Sequence, residues 1–278
     1  MAIEHFGGSG AKLCFAHANG FPSATYQVLL SSLVEDMSIY TYEHVPVRES
    51  VAPYKGFRWQ HFADDYIRYL EAQNEPMWLM GHSLGGTVSA LVAAKRPDLC
   101  KGLVLLDPIF LPFTKSLGMR FVPRSSLVKM PMVSKALTRP ELFSNHDEAF
   151  QFHRRARAFK RFDDAAMWHY VRAAFEPVQE GVRLRFPREW EAEVYMTAPF
   201  MWSRISRVTL PTLGIIGAES DVIAPGMERR WRRAQPHLSL HQSPGGHLFP
   251  IEDPSTAVPL IRDFILELER SAGRGTEL

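Results

Sequence analysis

Residues 76–86 constrain the fold more than any other part of this sequence. They read Pro-Met-Trp-Leu-Met-Gly-His-Ser-Leu-Gly-Gly, which predicts a short apolar strand, a sharp turn with Ser83 at its apex, and a helix over residues 87–95. Gly-His-Ser-Leu-Gly matches the G-x-S-x-G pattern, in which a serine is held on a strained strand-to-helix turn. Glycine at 81 and 85 removes side chains that would collide with the neighbouring strand and helix. We therefore predict that Ser83 is a nucleophile at a helix N-terminus, where free N–H groups favour a developing negative charge.

Length and charge suit one large globular domain. The 278 residues are 46% hydrophobic and 22% charged, an ordinary balance for a chain with a full core. A net charge of +2 argues against nucleic acid or an anionic membrane as a partner. No apolar run reaches the ~18 residues that a membrane span needs, and no secretory signal is visible. Because Cys14 and Cys100 lie beside apolar runs, we expect two buried, reduced thiols in a cytoplasmic protein, without a zinc site.

Short apolar runs alternate with helical patterns along most of the chain. The strand-like runs cover residues 12–16, 37–42, 77–80, 102–106, 212–216 and 238–241. Alternating β and α elements with buried runs predict an α/β fold, in which helices cover both faces of a mostly parallel central sheet.

The alternation stops between residues 108 and 206. This span is rich in Arg, Phe, Trp and Pro, and its patterns predict helices over residues 143–162, 163–175 and 187–197. We interpret it as an inserted helical cap. Residues 1–107 and 207–278 then form the α/β core, and residues 108–206 form the cap.

A serine hydroxyl needs a base to accept its proton and an acid to orient that base. In a parallel sheet such groups lie just past the carboxyl ends of the strands. His247 fits the base, since it follows Gly-Gly on a predicted loop between the last strand and the final helix. For the acid we favour Asp221, which lies further into the turn after the strand at 212–216 than its competitor Glu219. Asp107, at the end of the strand at 102–106, is a third candidate, with an alternative role in shaping the pocket floor.

The chain order Ser83, Asp221, His247 resembles that of the α/β-hydrolases. The resemblance is to the capped bacterial branch that includes esterases, lactonases, cofactor-free perhydrolases and carbon–carbon bond hydrolases. It covers most of residues 12–268. Its motifs are the Gly-His-Ser-Leu-Gly pentapeptide, the segment at 217–221 and the Gly-Gly-His at 245–247.

The resemblance also implies where an oxyanion would be stabilised. One N–H group would come from Leu84, the residue after the nucleophile, and a second from the loop His-Ala-Asn-Gly-Phe-Pro at residues 17–22. That loop departs from the family's His-Gly-x-x-Pro pattern, because alanine replaces the usual glycine. Its position indicates Asn19 as the donor, with Gly20 and Phe21 as alternatives. We expect structural roles for the two histidines His17 and His82.

These features predict a serine hydrolase that cleaves a carboxylic ester or related acyl bond through an acyl-enzyme. No metal or organic cofactor is required for that chemistry. The same three residues would serve carbon–carbon bond hydrolysis of a diketone-like substrate or a cofactor-free perhydrolase reaction. A non-catalytic ligand receptor with this fold is the alternative from another class.

The cap carries the substrate clues. Its aromatic residues suggest a small-molecule substrate with an apolar or aromatic acyl group, although most of them are expected to form the core of the cap. They are Phe110, Phe113, Phe143, Phe150, Phe152, Phe159, Trp168 and Trp202. Residues 153–161 predict a basic helix that either faces solvent or receives a substrate carboxylate or phosphate.

Overall fold

A computed structural model describes residues 3–49, 51–223 and 226–274 of the protein. Its central sheet has seven strands. The strands described are β1 (Ile3–Gly7), β2 (Ala11–Ala16), β3 (Met37–Tyr42), β4 (Met77–His82), β5 (Cys100–Leu106), β6 (Leu142–Phe143), β7 (Phe175–Val178), β8 (Gly181–Leu184), β9 (Thr212–Gly217) and β10 (Leu238–Ser243). The central sheet has the order β1-β3-β2-β4-β5-β9-β10. Its neighbouring strands are parallel except for β1, which runs antiparallel to β3 at the edge.

Helices cover both faces of this sheet. The helices described are α1 (Gln27–Ser31), α2 (Val45–Arg48), α3 (Trp59–Glu71), α4 (Leu84–Lys95), α5 (Phe113–Phe121), α6 (Arg124–Leu127), α7 (Pro131–Thr138), α8 (His146–Arg154), α9 (Asp164–Ala174), α10 (Arg188–Met196), α11 (Trp202–Ile205), α12 (Met227–Ala234), α13 (Phe249–Glu252) and α14 (Ala257–Arg274). Along β4, Leu79 packs into the core beneath α3 and α4, while Trp78 and Met80 pack into the core on the opposite face. Every residue of β4 is buried, which explains its continuous apolar run. The predicted α/β architecture is confirmed.

The span between β5 and β9 lies outside the central sheet. It holds α5 to α11 and a three-stranded antiparallel sheet of order β6-β8-β7. The predicted helix over residues 143–162 is wrong in part, because α8 ends at Arg154 and a 3-10 turn follows at Arg157–Phe159. We did not predict the small sheet, whose strand β7 contains Pro177. Proline is tolerated there because β7 is an edge strand.

The division into a core and a cap stays a prediction. Helix α9 packs against a 3-10 turn at Ser23–Tyr26, and α11 packs against α4, so the inserted span lies against the loop after β2 and the helix after β4. The predicted core also includes residues outside the described part of the chain. They are Met1, Ala2, Ser50, Ala224, Pro225 and residues 275–278.

Within the described ranges, no helix combines the length and the apolar character that crossing a membrane requires.

Candidate functional site

Ser83 lies at the apex of a strained turn between β4 and α4. Its φ of 54° and ψ of −112° are unfavourable for any residue other than glycine, and the residue is only 6% exposed. A Cβ atom added to Gly81 would lie 2.4 Å from the backbone of Gly85, and one added to Gly85 would lie 2.0 Å from the carbonyl oxygen of Ala16. The predicted turn, and the need for glycine at both positions, are confirmed.

His247 lies in the loop between β10 and α13, as expected, and faces the serine. Its Nε2 atom is 2.9 Å from the Oγ atom of Ser83. Gly246 precedes it and packs closely on Gly217 at the end of β9, where an added Cβ would lie 2.4 Å from the Gly246 oxygen. The close approach of these two backbone segments therefore brings the imidazole to the turn at Ser83, which we call the elbow.

Asp107, and not Asp221, is the carboxylate on this histidine. The Nδ1 atom of His247 lies 2.5 Å from Oδ2 of Asp107, whose side chain is fully buried. Asp221 is exposed and makes no hydrogen bond or ion pair to another described residue. Glu219 is directed outward, where it forms an ion pair with Arg161. The structure therefore corrects the predicted acid from Asp221 to Asp107.

The sheet order explains this correction. Strand β5 lies between β4 and β9, so Asp107 at its end is next to the elbow. The N–H of Asp107 donates to the carbonyl of Ile215 at 2.8 Å, and its φ of 43° turns the chain sharply there. The end of β9 and the turn after it contribute hydrogen-bond donors to Asp107 instead of the acid. The N–H of Gly217 donates to Oδ1 of Asp107 at 3.0 Å, and the hydroxyl of Ser220 donates to Oδ2 at 2.5 Å.

A chain of hydrogen bonds joins the loop at residues 17–22 to the loop that carries His247. The N–H of Ala18 donates to the hydroxyl oxygen of Tyr26 at 3.3 Å, and this hydroxyl is 2.7 Å from Nδ1 of His82. Nε2 of His82 donates to the carbonyl of His247 at 2.8 Å. Burial and the neighbouring His247 hold the pKa of His82 well below its usual range, so its ring is neutral and suited to this role. We refer to Ala18, Tyr26, His82 and His247 as the relay.

The predicted oxyanion donors lie on both sides of the elbow. Leu84 is the first residue of α4, where the N–H has no intrahelical partner. In the described part of the chain, the N–H groups of Asn19 and Gly20 donate to no protein acceptor, whereas that of Phe21 donates to Ala18 at 3.1 Å. This contact argues against Phe21 as an oxyanion donor and leaves Asn19 and Gly20 as candidates. The expected structural role of His17 is supported by contacts of its ring with the Ala18 carbonyl and the His44 N–H.

The aromatic residues of the inserted span are mostly packing residues. Phe110 and Trp202 belong to the core on one face of the sheet, and Phe143, Phe150 and Phe159 to the core on the other. The basic stretch at residues 153–161 is not one helix, and His153 within it is buried. These rings and charges therefore do not support the predicted apolar chamber or an anion site on that stretch.

Sequence reasoning missed several polar residues around the elbow. Ser220 and Tyr26 carry no motif that distinguishes them from other surface or core residues, so no local signal could have identified them. The same holds for Arg139 and Glu191, a buried ion pair of the inserted span that lies against the loop at residues 17–22.

Comparisons with known proteins identify the family of this chain. Residues 57–247 match the family described as serine aminopeptidase, S33. The chain is 25% identical over 268 residues to 2-(acetamidomethylene)succinate hydrolase of Mesorhizobium japonicum, covering 93% of this chain and 89% of that protein. It is 29% identical over 140 residues to monoglyceride lipase of Mus musculus, a match that spans less than half of either protein, 46% of this chain and 45% of the lipase.

Solved structures show the same fold. The crystal structure of E-2-(acetamidomethylene)succinate hydrolase superimposes with a TM-score of 0.77 at 22% identity, covering 95% of this chain and 94% of that one. A peroxisomal α/β-hydrolase from Saccharomyces cerevisiae gives a TM-score of 0.79 at 19% identity, covering 95% and 79%. The chain therefore belongs to the serine aminopeptidase S33 family and has the α/β-hydrolase fold.

Proposed function

We propose that this enzyme hydrolyses a carboxylic ester or related acyl bond of a small molecule through an acyl-enzyme on Ser83. The observation that carries the proposal is the continuous chain of contacts from Ser83 Oγ to His247 Nε2, and from His247 Nδ1 to Asp107. A nucleophile, a base and an orienting carboxylate within hydrogen-bond distance are what acyl transfer by serine requires.

In the first half-reaction, His247 takes the Ser83 proton as Oγ attacks the substrate carbonyl carbon. The oxyanion that forms would accept hydrogen bonds from the N–H groups of Leu84 and Asn19. His247 then returns the proton to the leaving group as the bond breaks. In the second half-reaction, His247 deprotonates a water molecule, which attacks the acyl carbon and releases Ser83.

Asp107 orients the imidazole and stabilises its cationic form. Because its carboxylate is buried and also accepts from Gly217 and Ser220, its position is fixed before substrate binds. That preorganisation is the physical basis for assigning the acid to Asp107.

The comparisons extend the range of bonds to test. One relative that matches nearly the whole chain is named for a succinate derivative with an acetamidomethylene group. Amides are therefore candidate substrates in addition to esters and lactones. An aromatic diketone would test carbon–carbon bond hydrolysis, and peroxide with a carboxylic acid would test the perhydrolase reaction.

Labelling with a fluorophosphonate tests the proposal. We expect stoichiometric modification of the wild-type protein, none in Ser83→Ala, and loss of p-nitrophenyl ester hydrolysis in that variant. Ser89→Ala is a matched control, since this buried serine lies on α4 away from the turn. A folded wild-type protein that is neither labelled nor active would contradict the proposal and favour a non-catalytic receptor.

A further inference from the structure

A cluster of polar side chains lies between the inserted span and the loop at residues 17–22. We call Asn19, Arg139, Tyr170, Glu191 and Tyr195 the polar cluster. Arg139 forms an ion pair with Glu191, and the Tyr195 hydroxyl donates to Oε1 of Glu191 at 3.3 Å. Tyr170 packs against the same loop, through contact of its ring with that of Phe21. Such groups are costly to bury unless their hydrogen bonds are satisfied.

Three atoms of the polar cluster are buried without a protein partner among the described residues. They are Nε of Arg139, the hydroxyl of Tyr170 and Oδ1 of Asn19. Tyr170 is fully buried and Asn19 is 8% exposed. Buried polar groups in native proteins are nearly always hydrogen-bonded, to protein, water or ligand. Three unpaired groups in one region therefore indicate a place for a polar ligand.

The polar cluster lies directly against the proposed oxyanion loop. Nδ2 of Asn19 donates to the carbonyl of Glu191 at 3.2 Å, and a Cβ on Gly20 would lie 3.4 Å from the Glu191 carboxylate. The Tyr170 ring packs on Phe21 with centroids 5.2 Å apart. A substrate whose carbonyl oxygen reaches the Asn19 N–H is therefore bound by a loop that contacts Glu191 and Tyr170 of the polar cluster.

The charges and hydrogen-bonding groups of the polar cluster define the class of ligand. Arg139 and Glu191 neutralise each other, so the site has no net charge to attract an anion. Nε of Arg139 is a donor, Oδ1 of Asn19 is an acceptor, and a hydroxyl can be either. A carboxylate only accepts hydrogen bonds and would leave Asn19 Oδ1 unpaired. A carboxamide both donates and accepts.

We propose that the polar cluster is a specificity site for an uncharged carboxamide on the acyl portion of the substrate. The proposal rests on the acyl hydrolase function proposed above and adds the chemistry of the group that this enzyme selects.

The test compares three p-nitrophenyl esters of similar length, the glutaramate, the hemiglutarate and the hexanoate, which end in an amide, a carboxylate and a methyl group. We expect kcat/KM for the glutaramate to exceed that for each of the other two by about tenfold, as one or two added hydrogen bonds would give. Tyr170→Phe should reduce the glutaramate-to-hexanoate ratio by about the same factor. Tyr54→Phe, which removes a hydroxyl from an exposed residue outside the polar cluster, should leave the ratio unchanged.

Preference for the hemiglutarate or the hexanoate would overturn the proposal, and so would an unchanged ratio in Tyr170→Phe. A binding measurement separates this failure from failure of the hydrolase function. By calorimetry, Ser83→Ala should bind methyl glutaramate about tenfold more tightly than methyl hexanoate, whether or not the wild-type protein turns over esters. Equal affinities would overturn the specificity site and leave the catalytic proposal intact.

Discussion

At the scale of single residues, Asp107 accepts hydrogen bonds from three residues on two segments of the chain. Gly217 ends β9 and Ser220 lies in the turn that follows it, while His247 lies in the loop after β10. A carboxylate with several donors keeps its position when the imidazole changes protonation state. This arrangement supports Asp107, at the end of β5, as the proposed acid.

The relay yields a prediction for Tyr26→Phe. Without the hydroxyl, Nδ1 of His82 and the N–H of Ala18 lose their common partner, so both loops become less well fixed. We expect the free energy of unfolding to fall by about 1–3 kcal/mol, the usual cost of an unpaired buried group, and kcat/KM to fall about tenfold. Urea unfolding and ester hydrolysis measure these effects, with Tyr54→Phe as the control. Wild-type activity in Tyr26→Phe would show that the relay does not position His247.

At the scale of elements, most strands and helices around the site could be predicted from the sequence. The run at residues 77–80 and the turn at Ser83 follow from apolar content and glycine spacing, both of which are local signals. The order of the strands is not local. Both Asp107 and Asp221 follow apolar strands, and only the pairing of β5 between β4 and β9 determines which reaches His247.

The small antiparallel sheet could not be predicted for a different reason. Strands β7 and β8 have four residues each, and a proline interrupts the pattern of β7. Their stability comes from tertiary packing, since Phe175 and Val182 belong to the core on one face of the central sheet. Periodicity alone carries little information in segments this short.

At the scale of the whole molecule, three buried histidines make stability depend on pH. Burial lowers the pKa of His44 and His82 well below the usual range, and lowers that of His153 to about 4. Because the unfolded chain takes up protons below about pH 6.5 that the folded protein does not, stability decreases as pH falls. Each histidine contributes a slope of about 1.4 kcal/mol per pH unit between its unfolded and folded pKa values.

Chemical denaturation between pH 7 and pH 4.5 tests this dependence. We expect the slope of the free energy of unfolding against pH to fall by about 1.4 kcal/mol per unit in His153→Gln. His237→Gln, at an exposed position, should keep the wild-type slope. Identical slopes in His153→Gln and the wild-type protein would show that His153 takes up a proton in the folded state as readily as in the unfolded chain.

Paired substitutions of Asp107 and Asp221 test whether Ser83, His247 and Asp107 act as one catalytic unit. Asparagine preserves the size of each side chain and removes its charge. We predict that Asp107→Asn lowers kcat/KM for ester hydrolysis by about ten-thousandfold, the scale expected when the acid of such a triad is lost. Asp221→Asn should remain within about twofold of the wild-type value, because Asp221 is exposed and does not contact His247. Near-wild-type activity in Asp107→Asn, together with a large loss in Asp221→Asn, would show that Asp107 does not act with Ser83 and His247 in catalysis.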